Sequence, residues 1–178
     1  KVKWNYTTGL ELLAIADAGR MYGIEEFTAY AERYFDTIVR PGGEVLTYRK
    51  TKYNLDHLCP GRALFELYDR TGDVRYKMAL DTLYAQLQPR NADGGFWHKE
   101  VYPHQMWLDG LYMAQPFYAE YAVRNLSGGE YEKAVDDIVN QFVVVAAHTY
   151  DPATGRFAVL NTPEGRNAYL RQAEFRNT

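Results

Sequence analysis

The segment Tyr76–Leu87, YKMALDTLYAQL, carries apolar side chains at positions i, i+4, i+7 and i+11, which lie on one face of a helix. The same spacing recurs in FTAYAERYFDTI, residues 27–38, and in YEKAVDDIVNQF, residues 131–142. Charged side chains fill many of the positions between the apolar ones in each segment. The repeat therefore predicts three amphipathic helices, each packing one apolar stripe on the protein interior.

A less polar helix precedes each amphipathic one, over about residues 7–22, 60–70 and 106–123, and short glycine turns link the two members of each pair. We expect a helical hairpin of about 50 residues, present three times in residues 1–150, and an irregular tail over residues 151–178. Tetratricopeptide and ankyrin arrays repeat at about 33 to 34 residues, so these scaffolds fit poorly.

Composition narrows the classes of function. The chain has 178 residues, 47% of them hydrophobic, which suits one domain or part of a larger one with a true core. A net charge of −3 disfavours a nucleic-acid partner, and no apolar run approaches the roughly 20 residues that span a membrane. Cys59 is the single cysteine, which excludes an intrachain disulfide. No signal peptide is recognisable, and we expect a soluble bacterial protein of unspecified compartment, cytoplasm or periplasm.

Two long irregular links, residues 41–55 and 88–104, separate the hairpins. Part of the first, residues 44–53, could form a short hairpin of its own. The second leads into GGFWHKEVYPHQMWLDGLYM, residues 94–113, which holds two of the three tryptophans and two of the four histidines. Long links of this kind usually carry function in compact domains.

Repeated hairpins place the N-terminal ends of all the inner helices on one face. Residues before or at these ends, including all three tryptophans, Tyr6, Asp56 and Asp109, should therefore share one mouth. The positive dipole ends of the helices favour an anionic ligand there.

Two carboxylates in an aromatic mouth suggest acid and base catalysis on a sugar. Asp109 lies among Met106, Trp107 and Leu108, and an apolar setting favours the neutral form of a carboxyl group. Asp56 has polar neighbours, which favour the ionised form. The alternatives are structural, because Asp56 could cap a helix that opens near residue 60, and Asp109 could be an ordinary first-turn acid.

The remaining candidates are substrate contacts. Trp97 and Trp107 could stack on sugar faces or fill the core. His98 and Lys99 could bind a carboxylate or form a solvated basic pair, and Gln105 lies between them and Trp107. His98, His104 and Asp109 match no standard ligand spacing, so we expect no metal site.

Four segments, WNYTTGLELLAIA, YNLDH, GGFWHK and YPHQMWLDGLYMAQPFYAEYA, resemble the unsaturated rhamnogalacturonyl hydrolases of glycoside hydrolase family 105, which are relatives of the unsaturated glucuronyl hydrolases of family 88. The likeness runs from about Trp4 to Tyr150. It implies an all-α fold, the α/α toroid of six helical hairpins called (α/α)6, of which about three are present here.

The resemblance also implies a reaction. Family members remove a non-reducing-end 4,5-unsaturated galacturonyl residue from rhamnogalacturonan or pectin oligosaccharides by hydrating its vinyl ether. By resemblance, Asp109 protonates C4 and helps to activate water for C5, and Asp56 is the second acid. Tyr6, His98, Lys99 and Trp107 match positions that line the uronate subsite, and no metal or organic cofactor is implied.

Three hairpins form only half of such a barrel, and half a barrel has open apolar edges. These edges favour self-association. Two other functions compete with the enzyme: a non-catalytic carbohydrate-binding remnant and a helical scaffold for protein partners.

Overall fold

The computed structural model describes residues 2–88 and 90–157. Within these ranges the α-helices are α1 (Tyr6–Tyr22), α2 (Glu25–Ile38), α3 (Arg62–Thr71), α4 (Val74–Tyr84), α5 (Leu108–Asn125) and α6 (Gly128–Thr149). Two 3-10 turns, Leu55–His57 and Cys59–Gly61, lead into α3, and the short antiparallel strands β1 (Tyr150–Asp151) and β2 (Arg156–Phe157) follow α6. Residues 158–178, most of the predicted irregular tail, lie outside the described residues.

The helices pack in consecutive pairs, α1 with α2, α3 with α4, and α5 with α6. This pairing confirms the predicted all-α hairpin architecture. The described residues fall into two compact units, one reaching to Leu87 and the other starting at Gln88. None of the described helices combines the length and the apolar character that a membrane span requires.

Glycine ends the inner helices of the first two hairpins as predicted. Gly23 (φ 67°) and Gly72 (φ 65°) adopt the left-handed conformation, and their N–H groups return to the last helical turn. The third hairpin differs from the prediction, because Leu126 is the C-cap of α5 and Gly128–Gly129 form the first turn of α6.

The predicted stripe of α4 is the centre of the N-terminal unit, and its four members are almost completely buried: Tyr76, Leu80, Leu83 and Leu87. In α2 the prediction holds for Ala31 and Ile38, but Phe27 is exposed and Phe35 is buried in place of its neighbour Tyr34. Tyr34 stays at the surface because its hydroxyl donates a hydrogen bond to the carbonyl of Lys3. The core therefore forms mainly where the apolar period predicts it.

Trp4 is a core residue of this unit, which corrects its predicted place at a ligand-binding mouth. The side chain is 2% exposed, packs edge-on against Phe35 and donates from Nε1 to the carbonyl of His57 at 2.9 Å. Its backbone N–H donates to Thr47 Oγ1 at 2.8 Å. In the link that contains Thr47, the described backbone forms one isolated bridge, Val39 to Val45, and not a regular hairpin.

The predicted stripe of α6 is wrong in an instructive way. Tyr131, Val135 and Phe142 are exposed, and the buried side chains of α6 include Ala134, Gln141, Val144 and Val145. Phe142 instead helps to line an apolar groove of about 500 Å³ between α5 and α6. The helix is turned this way because its polar residues bind the backbone of the preceding link, as described below.

Candidate active site

The link before α5 is folded against itself. The N–H of His98 donates to the carbonyl of Gln105 at 2.7 Å, and Lys99 pairs with Tyr102 across a tight turn. His104 closes this excursion with a positive φ of 64°, which is uncommon for a residue with a side chain. The segment is therefore a built structure, as its length suggested.

His98 and Trp107 form a stacked pair in this link. Their ring centroids are 4.1 Å apart and the rings are inclined by 11°. His98 is fully buried, and Trp107 is half-buried with its Nε1 donating to Gln105 Oε1 at 3.1 Å. The Nζ atom of Lys99 lies 4.9 Å from the centroid of the Trp107 ring, within cation–π range. Four predicted site residues thus form one group, which we call the Trp107 cluster: His98, Lys99, Gln105 and Trp107.

This geometry rejects the alternative of a solvated basic pair, since His98 is buried and Lys99 is half-buried over an indole. The same geometry bears on whether Trp107 stacks on a sugar face or fills the core. One of its faces is covered by His98, so the ring is neither a core residue nor a fully open platform.

Trp97 takes part in a separate set of contacts. Its Nε1 donates to Asn91 Oδ1 at 3.0 Å, and its ring packs edge-on against His104 with centroids 4.6 Å apart. The side chain of Asn91 also contacts Nδ1 and the carbonyl of His104. Asn91 was missed from the sequence, because nothing in its local pattern shows that it joins two aromatic side chains.

Asp109 lies in the first turn of α5 and is exposed. Among the described residues, Asp109 therefore does not have the apolar setting that its sequence neighbours predicted. Met106 is buried in a core cluster with Val144 and Val145, and Leu108 packs against this cluster, whereas Asp109, the second residue of α5, is exposed.

Asp56 belongs to the N-terminal unit and is 7% exposed. Asn54 caps the 3-10 turn Leu55–His57, and its Oδ1 accepts from the N–H of Asp56 at 3.0 Å. The turn Cys59–Gly61 and α3 begin without a side-chain cap hydrogen bond, so Asp56 does not have the capping role near residue 60. Burial raises the pKa of the nearby Cys59 thiol; Arg62 opposes this effect and the negative charge of Asp56 adds to it. Cys59 is fully buried, as expected of a small core residue.

Tyr6 is the first residue of α1 and is 39% exposed. It lies in the N-terminal unit with Asp56, whereas Asp109 and the Trp107 cluster lie in the C-terminal unit. The common mouth for these residues remains a prediction.

Comparison with known proteins decides the family. Residues 1–158 match the family model described as Glycosyl Hydrolase Family 88. The chain belongs to glycosyl hydrolase family 88.

Solved structures agree with this assignment. A family 105 glycoside hydrolase from C. acetobutylicum is 36% identical with a TM-score of 0.82, over 89% of this chain and 43% of that one. Two proteins described as possible family 105 members share the fold at lower identity. The one from Salmonella enterica is 22% identical (TM-score 0.71, 88% of this chain, 40% of that one), and the one from Klebsiella pneumoniae is 23% identical (TM-score 0.73, 92% and 42%). The family 88 chain thus has the α/α-toroid type of fold and spans less than half the length of these relatives.

Proposed function

We propose that this chain contributes to a glycosidase that removes a 4,5-unsaturated uronic acid from the non-reducing end of an oligosaccharide. The observation that carries the proposal is the position of Asp109. Its carboxyl group is exposed at the N-terminal end of α5, two residues after Trp107, whose indole is packed by one basic side chain and one imidazole. Membership of family 88 gives this acid a class of substrate.

The proposed reaction begins with proton transfer from Asp109 to C4 of the double bond. Positive charge then develops at C5 and the ring oxygen, and a water molecule attacks C5 while returning a proton to Asp109. The product is a hemiketal, which opens and releases the remaining saccharide as an alcohol. Because the described residues leave Asp109 exposed, we propose that the bound sugar ring itself covers the acid and excludes water from it.

The other predicted residues have binding roles in this proposal. Lys99 and His98 would attract the carboxylate of the uronate, and the first turn of α5 would add its dipole. A sugar that stacks on Trp107 would use the part of the ring that His98, Lys99 and Tyr102 leave uncovered. Trp97, Gln105 and Tyr6 would complete the subsite, and Asp56 would act as the second acid.

We further propose that the substrate is an unsaturated galacturonyl oligosaccharide of the kind derived from rhamnogalacturonan or pectin. This choice rests on the four resembling segments. A glucuronyl substrate is the comparison that tests it, at equal concentration and with the same saccharide attached.

Loss of the ultraviolet absorbance of the C4=C5 bond measures the reaction directly. We expect the wild-type chain to consume an unsaturated galacturonyl disaccharide and Asp109→Asn to lower kcat by about a thousandfold or more, because the amide cannot deliver the proton. Asp136→Asn, at an exposed acid of α6, is the matched control and should retain full activity. No turnover by the wild type, or equal turnover by Asp109→Asn, would overturn the proposal.

A carbohydrate-binding remnant is the second candidate, favoured by the half-buried indole of Trp107 beside the side chain of Lys99. In this case saccharide binding persists without turnover. Calorimetric titration separates the two functions: binding that is lost in Trp107→Ala, with constant absorbance in every variant, supports the remnant and excludes the enzyme.

The exposed apolar side of α6 favours self-association of the chain. Val135, Val139, Phe142 and Val143 are between 38% and 59% exposed. We propose that copies associate through this side, and Phe142→Glu should then lower the sedimentation coefficient. A monomeric wild type would exclude self-association and leave the scaffold for other proteins as the competing use of this surface.

A further inference from the structure

The inward side of α6 is polar where it meets the link before α5. Gln141 is fully buried and makes three hydrogen bonds: Oε1 accepts from the N–H of Phe96 at 2.8 Å, and Nε2 donates to the carbonyl of Gly94 and to Asp137 Oδ1, each at 3.0 Å. A single side chain thus satisfies two backbone groups of the link that a buried loop would otherwise leave unpaired.

Asp137, one helical turn earlier, holds the other side of this link. Its carboxylate receives two parallel hydrogen bonds from Arg90, at 2.6 and 2.8 Å, and a third from the hydroxyl of Tyr118 at 3.0 Å. With the bond from Gln141 it accepts four in all, and its side chain is 18% exposed. Arg90 also donates to the carbonyl of Gly94 at 3.2 Å, and its guanidinium lies 4.2 Å from the Phe96 ring centroid. We call Arg90, Asp137 and Gln141 the clamp.

The clamp ends where the Trp107 cluster begins. It binds the backbone at Gly94 and Phe96, and His98 is two residues further along the chain. Gly95 lies between the clamp and the Trp107 cluster, and a Cβ added to it would lie 2.2 Å from the sulfur of Met106. Met106 is the residue directly before Trp107. The clamp and this close packing thus connect the segment before His98 with the segment before Trp107.

We propose that Asp137 and Gln141 are positioning residues for the uronate-binding side chains, and that they act through the backbone at Gly94 and Phe96 on His98 and Lys99. This inference rests on the proposed function for its substrate. Geometry supports a role beyond cohesion. A charge-assisted network of four donors around one carboxylate is a demanding way to attach a loop, and its strength lies in the directional precision of its bonds. Asp109 is not part of the clamp, and Tyr118, the residue of α5 that binds Asp137, lies more than two helical turns after Asp109, so binding should be affected more than proton transfer.

The test compares Asp137→Asn with Asp136→Asn, which makes the same chemical change at the adjacent, exposed position. The amide at 137 loses the charge and one acceptor, so Arg90 and Tyr118 can no longer both be satisfied. We expect Asp137→Asn to raise the KM for the unsaturated disaccharide about tenfold and to leave kcat within about twofold, with no change in Asp136→Asn. Equal effects on kcat and KM, or no effect, would overturn the inference.

Near-ultraviolet circular dichroism provides a second readout that does not depend on turnover. The indole bands of Trp97 and Trp107 should weaken in Asp137→Asn and persist in Asp136→Asn, while the far-ultraviolet spectrum stays helical in both. An inactive wild type with weakened bands in Asp137→Asn refutes the proposed substrate and supports the clamp; unchanged bands refute the clamp whatever the activity. If Asp137→Asn does not fold, Tyr118→Phe removes one of the four donors and should raise KM about threefold.

Discussion

Helices α4 and α6 carry the same apolar spacing and use it in opposite ways. The stripe of α4 is almost completely buried, whereas three of the four stripe residues of α6 are exposed. In α6 the buried positions next to the stripe include Gln141, which binds the link before α5 through hydrogen bonds.

The difference shows that an amphipathic period predicts a helix and not the direction in which it faces. The stripe residues Leu80 and Leu83 of α4 are buried and carry no polar side-chain atom, and Tyr76 places its one hydroxyl against Asp36, so burial of the stripe decides the orientation of the helix. Side chains of α6 meet a link whose backbone groups need partners, and Asn140 and Gln141 supply them. Helix α4 therefore stabilises the core of its unit, whereas α6 binds the link that carries candidate site residues.

The largest effect on stability should follow from replacing one stripe residue in each helix by alanine. Leu83→Ala in α4 should lower the free energy of unfolding by about 2 to 5 kcal/mol, because it opens a cavity in a closed core. Phe142→Ala in α6 removes a larger side chain but should cost less than about 1 kcal/mol, because Phe142 is 49% exposed. Urea titrations of both variants measure this contrast, and equal losses would abolish the distinction between the helices.

A substitution that makes α6 more apolar should also destabilise it. Gln141→Leu leaves the buried N–H of Phe96 without its side-chain partner and removes one of the two side-chain donors to the carbonyl of Gly94, at a cost of about 1 to 3 kcal/mol. Asp136→Leu introduces the same side chain on the exposed side and should change stability by less than about 0.5 kcal/mol. Should Gln141→Leu be stabilising, the inward side of α6 would be an ordinary core face.

The smallest effect on stability concerns Asp93, in the link before α5. Burial alone would raise the pKa of Asp93, but the N–H of Gly95 and the hydrogen-bonded His148 outweigh it and hold this pKa below its ordinary value. A carboxyl whose pKa is lowered by folding stabilises the protein above its unfolded pKa, about 3.9, and this contribution disappears as the pH falls through the lower, folded value.

Asp93→Asn should therefore cost more stability at pH 6 than at pH 2. Because the side chain is 39% exposed and screened by solvent, we expect a loss of less than about 1 kcal/mol. Urea titrations at the two pH values measure it, and a cost that is the same at both would show that the charge of Asp93 is irrelevant.

Much of the fold was predictable because it is local. The three hairpins, the bounds of the inner helices and the turns at Gly23 and Gly72 follow from periodicity and from the conformational freedom of glycine. The sequence places His98, Lys99 and Gln105 in the same short segment as Trp107, but it does not predict the contacts between their side chains. Stacking of His98 on Trp107 depends on the pairing of His98 with Gln105, which no sequence pattern records.

The parts that were not predictable depend on contacts between distant residues. Trp4 is buried because a carbonyl 53 positions away accepts from its indole, and Asp137 faces inward because Arg90 lies 47 positions earlier. The exposure of Asp109 shows the same limit, since apolar neighbours in sequence can face a core while the residue between them faces solvent.

The central claim is that Asp109 drives hydration of a double bond, and solvent isotope incorporation tests it most directly. The wild-type chain is incubated in D₂O with an unsaturated galacturonyl disaccharide, and the products are followed by NMR. Our account predicts one deuteron at C4 of the released uronate product, formed by the wild type and not by Asp109→Asn. Release of the second sugar with no deuteron at C4, or the same labelled product from Asp109→Asn, would contradict it.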